Sequence, residues 1–300
     1  MAMTLNENDF KSCLEQDLSP YVQDKIKEYA FIHRELDNGE QHACIKQIFC
    51  ELNKDLTQIG EHRLKQWDEG WRENLMSDTI LPKYFDKYDV LRWKQSFIKP
   101  LSKNYEVNML YIIVDWLADK YMRNADAVYE FGCGTGHNLQ HIRMVNNGAI
   151  LVGLDWTKSS QEIIRRYAEN KGDKRLLARQ FDFFNPDYAI GILDNSIIYT
   201  VASLEQTAER YNKFLDYLLH YKPKLCIHIE PIAELLDDNN LLDYLSIEYF
   251  KKRNYLSGFL TRLKQLETEE RIEIICTQRT YIGSLFIEGY SVIIWRIKHG

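Results

Sequence analysis

The sequence predicts an α/β fold: a doubly wound, mostly parallel seven-stranded sheet with an antiparallel C-terminal hairpin, plus a helical N-terminal cap. Three observations predict it. Beyond Asn124, short apolar runs alternate with amphipathic stretches long enough for helices, and strands spaced by helices form βαβ units with parallel strands. The last two apolar runs, residues 272–276 and 290–297, leave no room for a helix between them, so they pair as an antiparallel hairpin, the sixth and seventh strands. The first apolar run of this half enters Gly132-Cys133-Gly134-Thr135-Gly136, a turn in which glycine lets the backbone bend sharply from strand into helix.

Residues 1–104 read as the cap. Ser19-Pro20 is a helix start, with serine as N-cap and proline at the first helical position, and Asp37-Asn38-Gly39 is a stop. A second helical run covers residues 40–59 and ends at Gly60. A third carries Leu64, Trp67, Trp71 and Leu75 on one face. Pro82 and Pro100 bracket a less regular stretch that includes Tyr84, Phe85, Arg92 and Trp93. From residue 105 the helical period returns through Met109, Ile112, Ile113, Trp116, Leu117 and Tyr121. Strands are then expected over residues 127–131, 150–154, 176–183, 196–201 and 224–229.

Composition bounds the function. With 45% apolar and 27% charged residues, the 300-residue chain builds a full core without staples. A net charge of −6 argues against a broad nucleic-acid surface, which needs clustered Lys and Arg. The six cysteines form no Cys-x-x-Cys pair, which favours free thiols in a reducing cytosol over disulfides or zinc, and no metal site is expected. Residues 1–20 lack the apolar core of a signal peptide, and no apolar run is long enough to span a membrane. The expected location is cytoplasmic.

The chemistry gathers at the strand ends. Glu130 stands just before the glycines, the second strand ends in Asp155, and the third strand region carries Asp182. Three carboxylates at neighbouring strand tips surround one crevice, the place where open α/β sheets bind ligands. An acid at the second tip suits ribose hydroxyls. The spacing is not that of a dinucleotide fingerprint, because His137 stands where the third glycine belongs. Glu130 would repel a diphosphate but suits a ligand carrying a cationic amino group and a sulfonium.

Glu-x-Gly-x-Gly-x-Gly, an acidic second tip and Phe181-Asp182 at the third resemble the class I S-adenosylmethionine (SAM)-dependent methyltransferases over about residues 105–300, closing hairpin included. The resemblance implies that Gly132, Gly134 and Gly136 line the methionine and ribose of SAM, with Glu130 near its amino group. It implies that Asp155 binds the ribose diol with Trp156 beside the adenine, and that Asp182 and the backbone of Phe183 meet the adenine. Tyr199, on the fourth strand, joins this cofactor-binding set. Core packing explains Trp156 and Phe183 equally well.

Methyl transfer requires a nucleophile aligned behind the methyl group, and a hydroxyl acceptor also requires a base. Candidates are Glu205, after the fourth strand, and His228 and Glu230, which share one face of the fifth. For Glu205 a solvated first turn of the next helix is the competing explanation; for His228 it is a hydrogen-bonded core residue. The Asn/Asp-Pro-Pro-Tyr/Phe pattern of amino-methylation is absent, which lowers a nucleic-acid base as acceptor. Arg92 and the cluster Lys251, Lys252 and Arg253 suit an anionic acceptor, although a solvated helix face explains the cluster as simply. The expected function is methyl transfer to an oxygen or nitrogen of a small polar metabolite, sugar-like or phosphorylated. The alternatives are a protein or RNA methyltransferase on the same core and a non-catalytic SAM-binding scaffold; an NAD-dependent oxidoreductase is disfavoured by His137.

Overall fold

The computed structural model describes residues 1–14, 17–56 and 62–298. Chain order through the first hundred residues is β1 (Met3–Thr4), α1 (Glu7–Leu14), α2 (Pro20–Tyr29), β2 (Ile32–Glu35), α3 (Asn38–Leu52), α4 (His62–Met76), β3 (Leu91–Trp93) and β4 (Ser96–Pro100). The Ser19 hydroxyl accepts from the Val22 N–H at the head of α2, as the Ser-Pro pair predicts. Asp37-Asn38-Gly39 is a start and not a stop. Asp37 Oδ1 accepts from the Glu40 N–H at 2.8 Å and Glu40 Oε2 accepts from the Asp37 N–H at 3.1 Å, a reciprocal capping box that opens α3. The last residues of the helical run expected over 40–59, with the stop at Gly60, lie outside the described residues.

This first part is therefore mixed rather than helical. Its strands form a five-stranded sheet in the order β1-β2-β4-β3-β11, where β11 (Ile282–Gly283) comes from the far end of the chain. The pairings are antiparallel throughout.

The second part runs α5 (Tyr105–Leu117), β5 (Ala127–Phe131), α6 (His137–Val145), β6 (Ile150–Asp155), α7 (Lys158–Lys171), β7 (Leu176–Gln180), β8 (Ser196–Val201), α8 (Asn212–Tyr221), β9 (Leu225–Glu230), α9 (Leu241–Arg253), α10 (Phe259–Thr268), β10 (Ile272–Gln278), the short β11, and β12 (Ser291–Ile297). The main sheet has seven strands in the order β10-β12-β9-β8-β5-β6-β7. The five strands from β9 to β7 are parallel, while β12 and β10 are antiparallel to their neighbours.

Strands buried on both faces read as mostly apolar runs, and β5, β8 and β9 are buried at every position, the polar Glu130, Ser196, Thr200, His228 and Glu230 included. Alternation splits their side chains between two cores. Val128, Ile197, Tyr199, Ile227 and Ile229 pack with α5 and α6 on one face; Tyr129, Phe131, Ile198 and Cys226 pack with α8 and α10 on the other. The strand order reverses between β5 and β8, so the loops after these two strands part to opposite faces and leave a crevice at their carboxyl ends. No helix among the described residues is long and apolar enough to cross a membrane.

Candidate active site

The crevice is a cavity of about 450 Å³ at the carboxyl ends of the parallel strands. Its floor is the glycine loop. Gly132 has φ +72°, and a Cβ built there would stand 2.3 Å from Ser203 Cβ, so the loops after β5 and β8 touch only because this residue has no side chain. Gly134, at φ +53°, lies under the indole of Trp71, whose Cζ2 would be 2.9 Å from a Cβ. Asp155 Oδ2 accepts from the Gly134 N–H at 3.0 Å, while Oδ1 accepts from the N–H and hydroxyl of Thr157 at 2.9 and 2.8 Å. The carboxylate thus fastens the glycine loop to the head of α7.

Glu130 is buried with Oε1 accepting from Asn138 Nδ2 at 2.8 Å and Oε2 from the Tyr199 hydroxyl at 2.7 Å. Burial pushes its carboxyl up to about 7 against those two bonds. Asn138 Oδ1, also buried and on the cavity wall, has no hydrogen-bond partner among the described residues. Such an orphaned acceptor beside a buried carboxyl calls for a donor from outside the chain. His137, the first residue of α6, lines the same region; burial drives its imidazole down to about 3, so it is neutral, and Nδ1 meets the Tyr111 hydroxyl at 3.1 Å.

At the far strand tips, Trp156, Asp182 and Phe183 all line the cavity. β7 stops at Gln180, earlier than the sequence predicts, because Phe181 and Phe183 are claimed by Phe214 at 6.0 and 4.8 Å instead of by the sheet. Asp182 Oδ1 accepts from the Phe184 N–H at 2.8 Å, which turns the chain back over the cavity.

The loop after β8 carries Glu205. It is 8% exposed and faces the cavity, so the solvated-helix explanation does not hold. Glu230 holds this loop: its Oε1 accepts from the N–H groups of Ser203 and Leu204 at 3.2 and 3.0 Å, and its Oε2 from that of Glu205 at 3.1 Å. Ala202 and Ala208, which bracket the loop, have φ +44° and +54°, a left-handed backbone that costs alanine of the order of 1–3 kcal/mol. Three charge-assisted hydrogen bonds to one buried carboxylate offset that strain. Burial, then the charge of Glu230, pushes the Glu205 carboxyl up to about 8, and Glu230 itself rises to about 7 through burial.

Four of the residues expected at the site stand behind the cavity wall. Tyr199 and Glu230 act on it from there, the first through Glu130 and the second through the 203–205 loop. Gly136 caps α6 and faces Ile164, against which a Cβ would fall at 2.8 Å. His228 is a core residue. Its Nδ1 meets the Thr200 hydroxyl at 3.0 Å, its ring lies near Phe259 and Trp295 on the α10 side of the sheet, and burial lowers its imidazole to about 3. Arg92 is likewise structural: it is 3% exposed and donates to the carbonyls of Leu242, Leu285 and Phe286 and to the Ser246 hydroxyl. Of the 251–253 cluster only Arg253 reaches the cavity, while Lys251 pairs with Glu248 in the open.

The first part of the chain closes the cavity. Trp67 and Trp71 stack at 5.3 Å, and with Tyr84 and Phe85 they form its outer wall, while Phe85 also belongs to the core that joins the first part to the main sheet. Asp68 Oδ1 accepts from the Ser159 N–H, which fastens α4 to α7. Arg63, Glu106, Tyr249, Tyr255, Phe286 and Tyr290 also reach the cavity without a local sequence signal, since each belongs to an element brought in by the fold. No group of three or more His, Cys, Asp or Glu placed to hold a metal occurs among the described residues. Four cysteines are buried, and Cys50 is exposed.

No protein-family model matches the chain, and no curated protein matches it in sequence. Solved structures do match. The N-methyltransferase NodS of Bradyrhizobium japonicum WM9, solved with S-adenosyl-L-homocysteine, is 11% identical over 78% of this chain and 99% of its own, with a TM-score of 0.51. The N,N-8-amino-8-demethyl-D-riboflavin dimethyltransferase RosA of Streptomyces davawensis is 14% identical over 64% of this chain, with a TM-score of 0.46. An O-methyltransferase family protein of Burkholderia thailandensis is 11% identical over 66% of this chain, with a TM-score of 0.49. The chain spans 56% and 58% of the lengths of these last two.

Proposed function

From a chain that has the fold of the class I SAM-dependent methyltransferases, we propose that it binds SAM and transfers the methyl group to an oxygen or nitrogen of a small polar metabolite. The observation that carries the reading is the convergence, in one cavity at the strand-order reversal, of the glycine loop, Asp155, Asp182 and the Glu130–Asn138 pair with its orphaned Oδ1.

Those groups fit the cofactor's parts. A cationic amino group satisfies Asn138 Oδ1 and favours the ionised form of Glu130, while Asp155 keeps acceptor capacity for a ribose hydroxyl beyond its three bonds. Trp156, Asp182 and Phe183 line the same cavity, and two rings with an acceptor carboxylate suit a flat base that carries an amino group. When bound, SAM supplies an electrophilic methyl carbon, and the electron pair of the broken C–S bond remains on sulfur as a neutral thioether. The protein's part is to hold the acceptor in line, to exclude water, and to take the acceptor's proton at Glu205 where that acceptor is a hydroxyl. Tyr199 and Glu230 serve as positioning residues.

Enclosure by Trp67, Trp71, Tyr84 and Phe85 supports a small acceptor over a duplex or a folded protein. Titration calorimetry with SAM, S-adenosylhomocysteine and NAD tests the assignment. The first two bind, NAD does not, and Asp155→Ala weakens SAM at least tenfold. NAD binding as tight as SAM, or no binding of SAM, overturns it.

A further inference from the structure

One wall of the cavity is made of rings. Tyr249 and Phe286 stack at 5.3 Å with their planes 13° apart, and Tyr88 meets Phe286 edge-on at 5.1 Å. Tyr255 meets Tyr249 edge-on at 6.3 Å, and Tyr290 lines the same cavity. Glu205 belongs to this neighbourhood: after burial, its charge contributes to raising the phenols of Tyr249, Tyr255 and Tyr290.

Two polar groups there are incompletely used. Arg253 donates Nε to the Tyr249 hydroxyl at 3.0 Å, and its two terminal nitrogens have no acceptor among the described residues. Glu205 Oε1 accepts from Gln206 Nε2 at 2.8 Å, and Oε2 accepts nothing from the described residues. The two do not close into an ion pair with each other. A guanidinium with open terminal N–H groups presents the fork that a carboxylate matches, and the open carboxyl oxygen of Glu205, whose backbone N–H is held by Glu230, is placed to receive a proton.

We propose that the acceptor is an aromatic hydroxy acid, with its ring against the Tyr249–Phe286 wall, its carboxylate on Arg253 and its hydroxyl at Glu205. This rests on the methyltransferase reading above. The acceptor oxygen's electron pair forms the new O–CH3 bond, the C–S pair stays on sulfur, and the hydroxyl proton passes to Glu205 and then to water. A sugar phosphate would also satisfy Arg253, but the flat Tyr249–Phe286 stack gives an aromatic ring closer contact than it gives a puckered sugar ring.

The test titrates the protein, saturated with S-adenosylhomocysteine, with 3- and 4-hydroxybenzoate, 4-hydroxycinnamate, the matching phenols without carboxylate, and glucose 6-phosphate. Binding is followed by calorimetry and tryptophan fluorescence. At least one hydroxy acid should bind tenfold or more tightly than its matching phenol and than glucose 6-phosphate. Arg253→Met should bring that acid down to the level of the phenol while S-adenosylhomocysteine affinity stays the same. Equal binding of phenol and acid, tighter binding of the sugar phosphate, binding of no acid, or an unaffected Arg253→Met protein overturns the proposal. The first titration separates the two ideas: if S-adenosylhomocysteine itself does not bind, the methyltransferase reading falls, and if it binds while no acid does, only the acceptor class falls.

Discussion

Replacing Glu205 by Gln makes the protein more stable at alkaline pH, and the size of the gain follows from where the carboxyl sits. Burial and Glu230 push it from an ordinary 4.5 up to about 8. Between those pH values the folded protein keeps a proton that the unfolded chain has released. Folding stability therefore falls as pH rises through this window, by about 1.4 kcal/mol per pH unit for one group. Carried from 4.5 to 8, the penalty is on the order of 5 kcal/mol. Glutamine has the same shape, carries no charge, and its carbonyl still accepts from Gln206. Chemical denaturation of both proteins at pH 4, 6, 7, 8 and 9 should give stabilities within about 1 kcal/mol at pH 4 and a steadily widening advantage for the variant up to pH 8. Above pH 8 the gap stays level. Because Glu230, raised to about 7, titrates against Glu205, the onset is spread rather than sharp. Two stability curves that run parallel from pH 4 to 9 would refute the placement of Glu205 in a dry, acid-paired site. The same carboxyl, as a base, works only when deprotonated, so kcat/KM should rise with pH through about 8, and Glu205→Gln should lower it by about 10²–10⁴.

Gly132→Ala forces a left-handed backbone on alanine and drives a Cβ to 2.3 Å from Ser203 Cβ. A loss of about 2–3 kcal/mol on thermal unfolding and a tenfold or greater weakening of SAM in calorimetry are expected, and an unchanged melting temperature would contradict the contact. Arg92→Met strands the Leu285 and Phe286 carbonyls in a buried site and removes a donor from the Leu242 carbonyl and the Ser246 hydroxyl, which keep their bond to each other. It should cost about 3 kcal/mol or more in denaturant unfolding; a loss under about 1 kcal/mol would show that Arg92 is not the structural clamp the geometry makes it.

Legibility in the sequence followed the range of the forces involved. Residues 127–131 and 196–201 were readable to the residue, because a strand buried on both faces is mostly apolar and shows this in a short window even with Glu130, Ser196 and Thr200 among its members. The head of α2 was readable because Ser19 and Pro20 act within one turn. The head of α3 was misread although Asp37 and Glu40 carry the capping box, because Asn38-Gly39 is an equally local turn signal. β2 and β4 were missed for a different reason: they are short, and their register pairs join residues some sixty-five positions apart, such as His33 and Pro100.

By itself the sequence determined the strand–helix alternation, the glycine turn and the acidic tips Glu130, Asp155 and Asp182, since each follows from backbone geometry within a few residues. Only the tertiary structure decided that Glu205 is buried, that Glu230 acts through three backbone N–H groups, and that His228 and Arg92 belong to the framework. It alone brought Arg253, Tyr249, Phe286 and Trp71 around one cavity. A side chain's charge state and partners depend on what other segments pack against it, and no local period or spacing encodes that packing.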